Sequence, residues 1–144
     1  MLRFFGLAML IAAGSMCAAQ ANEVTTVTMG FESQLLDLET GAVVDSSDLV
    51  DPSDADLRLA YNALRPTKAV VIPEKGTEIV LFDGLSFDGV SSELLADLLF
   101  SPEPVDVPFG ADVTVVVRTA GGAVYKLGNA SESTSGVTFN YAAL

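Results

Sequence analysis

Residues 112–127, DVTVVVRTAGGAVYKL, contain the pattern that decides the fold. On both sides of the Gly121–Gly122 pair, apolar side chains recur at every second position, a period that is typical of half-buried β-strands. Paired glycines between two such runs favour a tight turn. The stretch therefore predicts a hairpin with strands at 112–119 and 123–127.

The same period of two continues along most of the remaining chain. Two further hairpins are expected, one around the turn Glu39–Thr40–Gly41 and one around the turn Pro73–Gly76. The first strand, in which Val and Thr alternate, is predicted to lie at a sheet edge. The additional strands are predicted at 23–29, 34–38, 42–45, 55–61, 68–72, 77–82 and 136–141.

A single α-helix is predicted at 91–100. Ser91 or Ser92 can cap its first turn, and the leucines at positions 94, 95, 98 and 99 form one apolar stripe. Pro102 and Pro104 end the segment. Together these patterns indicate a mainly β protein, an antiparallel β-sandwich or partly open barrel with one short α-helix.

The first 21 residues have the features of a secretory signal peptide. Arg3 supplies a positive charge, residues 4–13 are apolar, and Ala19–Gln20–Ala21 forms a small-x-small cleavage site before Asn22. A retained membrane anchor, the alternative, would need about 20 continuous apolar residues. We therefore predict a leader at 1–21 and export to the periplasm or the cell exterior.

Removal of the leader leaves residues 22–144 as a single mainly β domain. Cys17 is the only cysteine of the chain, so the exported domain has no disulfide and depends on its apolar core. A lipid-modified form would use Cys17, but the residues before it, Gly14–Ser15–Met16, match that kind of site poorly.

The charge excludes one class of partner. The whole chain has a formal net charge of −12, and loss of Arg3 with the leader makes it −13. Nucleic acids and anionic membranes bind clustered Lys and Arg, so we predict no nucleic-acid partner.

The last strand, 136–141, has the alternation of an outer-membrane barrel strand, but most predicted strands are shorter than the roughly 9 residues needed to cross a bilayer. We therefore predict no membrane insertion after cleavage.

Catalytic chemistry has little support in the sequence. The chain has no His and no Trp, so the usual base that activates a serine is absent. A Ser-Lys dyad would need Lys68, Lys75 or Lys126 buried beside a serine. No pair of carboxylates has a recognisable acid-base context. We predict no catalytic residues, and a carboxylate-dependent hydrolase is the third alternative.

One acidic segment has the oxygen-rich composition that calcium requires. It lacks the central Gly and the alternating Asp or Asn of the helix-loop-helix calcium loop, and Pro52 and its serines favour a solvated surface loop. We predict no metal site and keep calcium as an alternative. The carboxylates concerned are Asp45, Asp48, Asp51, Asp54 and Asp56.

Two parts of the chain resemble the HmuY-like secreted proteins. LDLETGAVV at 36–44 with DLRLAY at 56–61 is similar to the opening of that family, and VRTAGGAVYKL at 117–127 with VTFNY at 137–141 is similar to its last strands. The resemblance implies an all-β exported domain, in a family whose named member holds haem between two histidines. Because this chain has no His, that ligand pair matches no position here.

The predicted function is a non-enzymatic exported binding or interaction domain whose partner is an unknown protein or small molecule. The alternative is a carrier of haem, or another tetrapyrrole, or of calcium. Thioether and phenolate groups also serve as axial haem ligands, although a core or strand-face position is the favoured explanation of each such residue. The residues concerned are Met29, Tyr61, Tyr125 and Tyr141.

Overall fold

The computed structural model describes residues 23–30, 34–45, 55–61, 68–74 and 76–144. Within them, ten strands form two antiparallel five-stranded sheets that do not close into a barrel. The mainly β prediction is therefore confirmed, in its sandwich form. The strands are β1 (Thr25–Met29), β2 (Gln34–Leu36), β3 (Val43–Asp45), β4 (Leu57–Tyr61), β5 (Lys68–Pro73), β6 (Glu78–Asp83), β7 (Val105–Pro108), β8 (Gly110–Arg118), β9 (Val124–Ser133) and β10 (Gly136–Ala143).

The first sheet has the order β1-β10-β9-β8-β6, and the second has the order β3-β2-β4-β5-β7. Alternate residues of each strand point between the sheets and form one apolar core, as the period of two requires. The first sheet contributes Val27, Met29, Val113, Val115, Val117, Leu127, Val137, Phe139 and Tyr141, and the second contributes Leu36, Leu57, Leu59, Ala69, Val71 and Val107.

Two of the three predicted hairpins are confirmed. Strands β8 and β9 pair through Arg118↔Val124, and the turn is closed by the Thr119 amide, which donates to the Ala123 carbonyl at 2.8 Å. Gly122 stands at φ 90°, a conformation that favours glycine. Strands β2 and β3 form the other hairpin, and β1 lies at the edge of the first sheet as predicted.

The third predicted hairpin, across Pro73–Gly76, is wrong. Strand β5 belongs to the second sheet, where it pairs with β4 and β7, whereas β6 belongs to the first sheet and pairs with β8. The turn therefore carries the chain from one sheet to the other. Gly76, at φ 85°, makes this crossing possible. A turn signal marks a reversal of the chain, but it does not specify which strand each flanking run will pair with.

The predicted α-helix at 91–100 is also wrong. The structure has a 3-10 helix at Ser92–Asp97, with no buried residue and no capping hydrogen bond from the Ser91 side chain. Leu99 is 91% exposed and Leu94 is 38% exposed. An isolated helix this short is marginal unless its apolar face packs against the protein, and here that face does not pack.

Strand β7 (Val105–Pro108) was missed by the sequence analysis because prolines bracket it. Pro104 and Pro108 suit an edge position, where no ladder hydrogen bond from that residue is needed. Strands β9 and β10 also extend beyond the predicted 123–127 and 136–141. The added length of β9 contains polar residues that break the alternation, whereas β10 gains Ala142 and Ala143.

The outer face of the first sheet is covered by residues 85–90, which include a 3-10 turn at Phe87–Gly89. Phe87 is 3% exposed and Val90 is 1% exposed. Gly128 of β9 lets this segment approach, since a Cβ there would stand 3.0 Å from Phe87 side-chain atoms. The Lys126 ammonium donates to the carbonyls of Phe87 (2.7 Å) and Val90 (3.0 Å) and lies 4.4 Å from the Phe87 ring centre.

We expect Lys126→Met to lower the free energy of unfolding by about 2 kcal/mol, because two charge-assisted hydrogen bonds and one cation–π contact are lost. Urea unfolding measures this change. Lys68→Met, at an exposed position of β5, is the control and should change stability by less than about 0.5 kcal/mol. Equal effects of the two substitutions would contradict the account of Lys126.

The sandwich has two ends with different character. Residues 37–42, 74, 76–77 and 119–123 lie at one end, which we call the turn end. The opposite end, which we call the far end, contains the β9–β10 turn and the start of β8. No helix in the described part of the chain is long and apolar enough to span a bilayer.

Candidate functional site

Polar side chains from both sheets converge at the turn end. They come from the β2–β3 turn, from the residue before β4, from the β8–β9 turn, and from two neighbouring strands of the first sheet. We call this set the turn-end cluster. Its members are Asp37, Glu39, Asp56, Thr119, Tyr125 and Tyr141.

The β2–β3 turn places the first two carboxylates. The Asp37 side chain accepts hydrogen bonds from the amides of Glu39 (2.9 Å) and Thr40 (3.2 Å), an arrangement that aspartate forms readily in turns. The Gly41 amide donates to the Asp37 carbonyl at 2.8 Å. The turn is therefore tightly held, and it leaves the Glu39 side chain exposed.

Asp56 ties this turn to the second sheet. Its carboxylate accepts a hydrogen bond from the Leu38 amide at 2.8 Å, and its own amide donates to the Leu36 carbonyl at 2.9 Å. The residue is only 8% exposed. Burial raises the pKa of the Asp56 carboxyl above its usual value, against the hydrogen bond from Leu38, and the charges of Asp37 and Glu39 add to the rise.

The two tyrosines stand next to these carboxylates. The rings of Tyr125 on β9 and Tyr141 on β10 meet edge to face, with centres 6.1 Å apart and planes at 69°. The Tyr141 hydroxyl oxygen lies 3.0 Å from the point where a Cβ on Gly41 would stand. The pKa of the Tyr125 phenol is raised by burial first, and then by the negative charges of Glu39 and Asp56.

Thr119 provides a buried polar atom that has no partner within the described part of the chain. The residue is 4% exposed, and among the described residues its hydroxyl has no hydrogen-bond partner. A Cβ on the neighbouring Gly121 would stand 3.9 Å from the Thr119 Oγ1 atom and 4.0 Å from the Glu39 Oε1 atom. The hydroxyl and the Glu39 carboxylate therefore both lie near Gly121. Buried hydroxyls are nearly always hydrogen-bonded, so this exception requires an explanation.

We expect Thr119→Val to raise the free energy of unfolding by about 1 kcal/mol, because it removes a buried donor that has no partner. Thr114→Val is the matched control. Thr114 is fully buried, but its hydroxyl donates to the Leu85 carbonyl at 2.9 Å. That substitution should lower stability by about 1 kcal/mol. Chemical denaturation of both variants checks the prediction, and the same sign for both would contradict it.

We expect Asp56→Asn to raise the melting temperature near pH 7. The raised pKa of Asp56 means that ionisation costs stability in the folded state, so wild-type stability falls as pH rises through that pKa. The asparagine oxygen can still accept from the Leu38 amide. The advantage of the variant should disappear below the ordinary carboxyl pKa, where the aspartate is neutral in both the folded and unfolded states.

Thermal unfolding between about pH 3 and pH 7 measures this dependence. Asp56→Ala is the comparison, because it also removes the acceptor for Leu38 and should destabilise at every pH. A constant difference between Asp56→Asn and wild type across this range would contradict the prediction.

An apolar cleft lies between the sheets toward the far end. Residues of both sheets line it, among them Met29, Leu59, Val107, Phe109 and Phe139. Its free volume is about 30 Å³, which is room for one or two water-sized groups. A tetrapyrrole would have to open the sandwich to enter.

The candidate haem ligands are not brought together. Met29, 1% exposed, lines the far-end cleft, whereas Tyr125 and Tyr141 belong to the turn-end cluster. Met29 pairs with Val137, so about four residues of strand, or 13 Å, separate it from Tyr141. The side chain of Tyr61 lies outside the described residues.

The candidate calcium residues are mostly outside the described part of the chain, which includes neither Asp48 nor Asp51 nor Asp54. Asp45 accepts a hydrogen bond from the Gln34 side chain at 2.6 Å. Among the described residues, no group of three or more His, Cys, Asp or Glu side chains could hold a metal ion.

Of the lysines considered for a Ser-Lys dyad, Lys126 is engaged by two carbonyls and Lys68 is exposed. Lys75 lies outside the described residues. Gly121–Gly122 forms the predicted turn between β8 and β9, with the Gly122 amide donating to the Thr119 carbonyl at 2.9 Å.

Sequence comparisons add no functional assignment. No model of a known protein family matches the chain, and no curated protein matches it. The resemblance to HmuY-like proteins stays a prediction, and the functional argument depends on the geometry of the turn end.

Proposed function

We propose that this protein is an exported, non-enzymatic binding domain that takes its ligand at the turn end of the sandwich. The observation that carries the proposal is the Thr119 hydroxyl, which is buried near the exposed Glu39 carboxylate and has no hydrogen-bond partner among the described residues. A ligand that reaches this hydroxyl would supply the missing hydrogen bond.

Three features support this position over the far-end cleft. The turn-end cluster combines hydrogen-bonding groups with aromatic surface, which is the usual composition of specific sites, whereas the cleft is almost wholly apolar. Glu39 and Gly121 are exposed, so a ligand has access from solvent. The hydrogen bonds of Asp37 and Asp56 hold the β2–β3 turn in place, which keeps the cluster preorganised before binding.

Thermal unfolding in the presence of a compound panel tests the proposal. The panel contains an aliphatic diamine, a neutral oligosaccharide, haemin and calcium. We expect at least one compound to raise the melting temperature of the purified protein, and Thr119→Val and Tyr125→Phe to abolish that increase. Thr26→Val, at an exposed position of β1, is the control and should leave it unchanged.

Two results would count against the proposal. The first is a stabilising compound whose effect is the same in Thr119→Val, Tyr125→Phe and wild type, which would place the site elsewhere. The second is chemical turnover of any panel compound by the purified protein. A saturable Soret shift with haemin that survives both substitutions would instead favour the carrier alternative.

A further inference from the structure

Each of the two sheets has two edge strands, and proteins usually protect such edges with prolines, charges, short length or a covering segment. Three of the four edges here are protected in one of these ways. Strand β7 begins after Pro104 and ends at Pro108, and β3 has only three residues. Strand β6 is bridged by Ser101, whose amide donates to the Ile79 carbonyl at 3.0 Å and whose carbonyl accepts from the Ile79 amide at 2.8 Å.

Strand β1 is the fourth edge, and it has none of these protections. Its five residues, Thr25–Met29, pair with β10 in unbroken register, and among the described residues no strand pairs with its other side. The strand contains no proline and no charged residue. Its threonines and valine favour extended backbone. Strand β1 is therefore suited to accept another strand.

The predicted cleavage after Ala21 leaves only three residues before this strand. Of these, Glu23 and Val24 are exposed, and Val24 is 51% exposed. Pairing of a further strand along β1 would extend over both residues and cover the apolar side chain of Val24.

The distribution of charge indicates which kind of strand can pair with β1. The chain has 19 Asp and Glu residues against 7 Lys and Arg, so two copies repel each other over most of their surface. Strands β1 and β10 contain no charged residue. Their polar side chains bond to each other, Thr26 to Asn140 at 2.9 Å and Thr28 to Thr138 at 2.8 Å. Two copies can therefore approach along β1 without bringing carboxylates together.

The sequence of β1 is also complementary to itself in the antiparallel direction. A two-fold axis at Thr26 would place Val24 of each copy opposite Thr28 of the other, and pairs of β-branched side chains suit neighbouring strands. Glu23 would lie opposite Met29, so the two Glu23 carboxylates would stay apart. Two-fold dimers that use the same patch on both subunits are the commonest protein oligomers.

We infer that β1 pairs with the β1 strand of a second copy, antiparallel about Thr26, and that this joins the first sheets of both copies into one continuous sheet. Residues 23–29 of each copy would pair, far fewer than the roughly 20 residues a side of a standard interface. The dimer is therefore weak, with a Kd on the order of 0.1 mM. Salt strengthens it, because screening reduces the repulsion between two acidic copies.

Sedimentation equilibrium of the purified protein, from about 10 µM to about 0.5 mM, measures this association. We expect the dimer to form at least about threefold more tightly in 0.5 M than in 0.05 M NaCl. Thr26→Asp should weaken it about tenfold or more, because two carboxylates would face each other across the strand pair. Ser131→Asp adds the same charge at an exposed position of β9, two strands from the edge, and should change the Kd less than about twofold.

An equimolar mixture of Thr26→Asp and Thr26→Lys tests the pairing by restoring it. In the mixed dimer the two substituted side chains carry opposite charges and lie opposite each other, so the mixture should associate at least about tenfold more tightly than Thr26→Asp alone. Thr26 is exposed, so both variants should keep the fold of the monomer. The melting temperature at low protein concentration checks this.

A wild-type protein that stays monomeric at about 0.5 mM in 0.5 M NaCl overturns the inference and leaves β1 for a strand of a different protein. Equal weakening by Thr26→Asp and Ser131→Asp also overturns it. So does a mixture of the two Thr26 variants that associates no more tightly than Thr26→Asp alone. The proposed function at the turn end does not depend on these outcomes.

Discussion

Gly136→Ala should lower the free energy of unfolding by about 3 kcal/mol or more, which combines a steric cost and a backbone cost. A Cβ on Gly136 would stand 2.0 Å from the Met29 carbonyl oxygen and 2.9 Å from the Cα atom of Gly30. Both atoms belong to the backbone, so no side-chain rotation relieves the clash. Strand β1 must move away from β10 or the protein must unfold.

Gly110→Ala is the matched control for this prediction. Gly110 has φ 152° and Gly136 has φ 148°, but nothing lies within 4 Å of a Cβ built on Gly110. Gly110→Ala therefore has a backbone cost of about 1 to 2 kcal/mol but no steric clash. Denaturant unfolding gives both values. Equal losses of stability in the two variants would contradict the claim that the close approach of β1 requires glycine at position 136.

Leu36→Ala should lower the free energy of unfolding by about 3 kcal/mol, within the range of buried leucine truncations. Leu36 is 0% exposed and lies on β2 with partners on both sides, Val43 of β3 and Leu57 of β4. Its side chain belongs to the core shared by the two sheets. Truncation would leave a cavity in a sandwich that has no disulfide to hold it.

Leu99→Ala tests the same chemical change at a position without packing. Leu99 is 91% exposed, so its truncation should change stability by less than about 0.5 kcal/mol. The difference between the two leucine variants, measured by urea unfolding, isolates the contribution of burial. A similar loss at both positions would contradict the description of Leu99 as an unpacked side chain.

The part of the fold that follows from local alternation could be predicted. The β8–β9 hairpin and the β2–β3 hairpin are specified by turn residues that lie between their own strands. The pairing of β5 and β6 could not be predicted, because Pro73–Gly76 indicates a reversal and nothing local indicates a change of sheet. The leucine stripe at 91–100 was misleading, since a stripe predicts a helix only where the protein offers a surface to cover it.

The candidate site was only partly accessible to sequence reasoning. Tyr125, Tyr141 and Asp56 were singled out, but for haem or calcium, and no signal linked them to one another. The sequence pattern marks Glu39 only as a turn residue and does not single out Asp37 or Thr119. The alternation places Thr119 on the same face of β8 as Val117, which suggests an inward hydroxyl. Its lack of a partner depends on contacts between distant turns, and those appear only in three dimensions.

The buried Thr119 hydroxyl also links stability to the proposed function. A residue that costs stability in the unbound protein and contributes a hydrogen bond when a ligand is present follows the usual trade-off at functional sites. Thr119→Val should therefore be more stable than wild type and bind less well. An ordinary packing position would not combine these two effects.

The most direct test of the central claim is a map of backbone amide chemical shifts during titration with the panel compound that stabilises the protein most. The account predicts the largest changes at residues 38–41 and 119–122, with small changes around the far-end cleft. Largest changes at Met29, Ala130 and the other residues of that cleft, with none at the turn end, would contradict it.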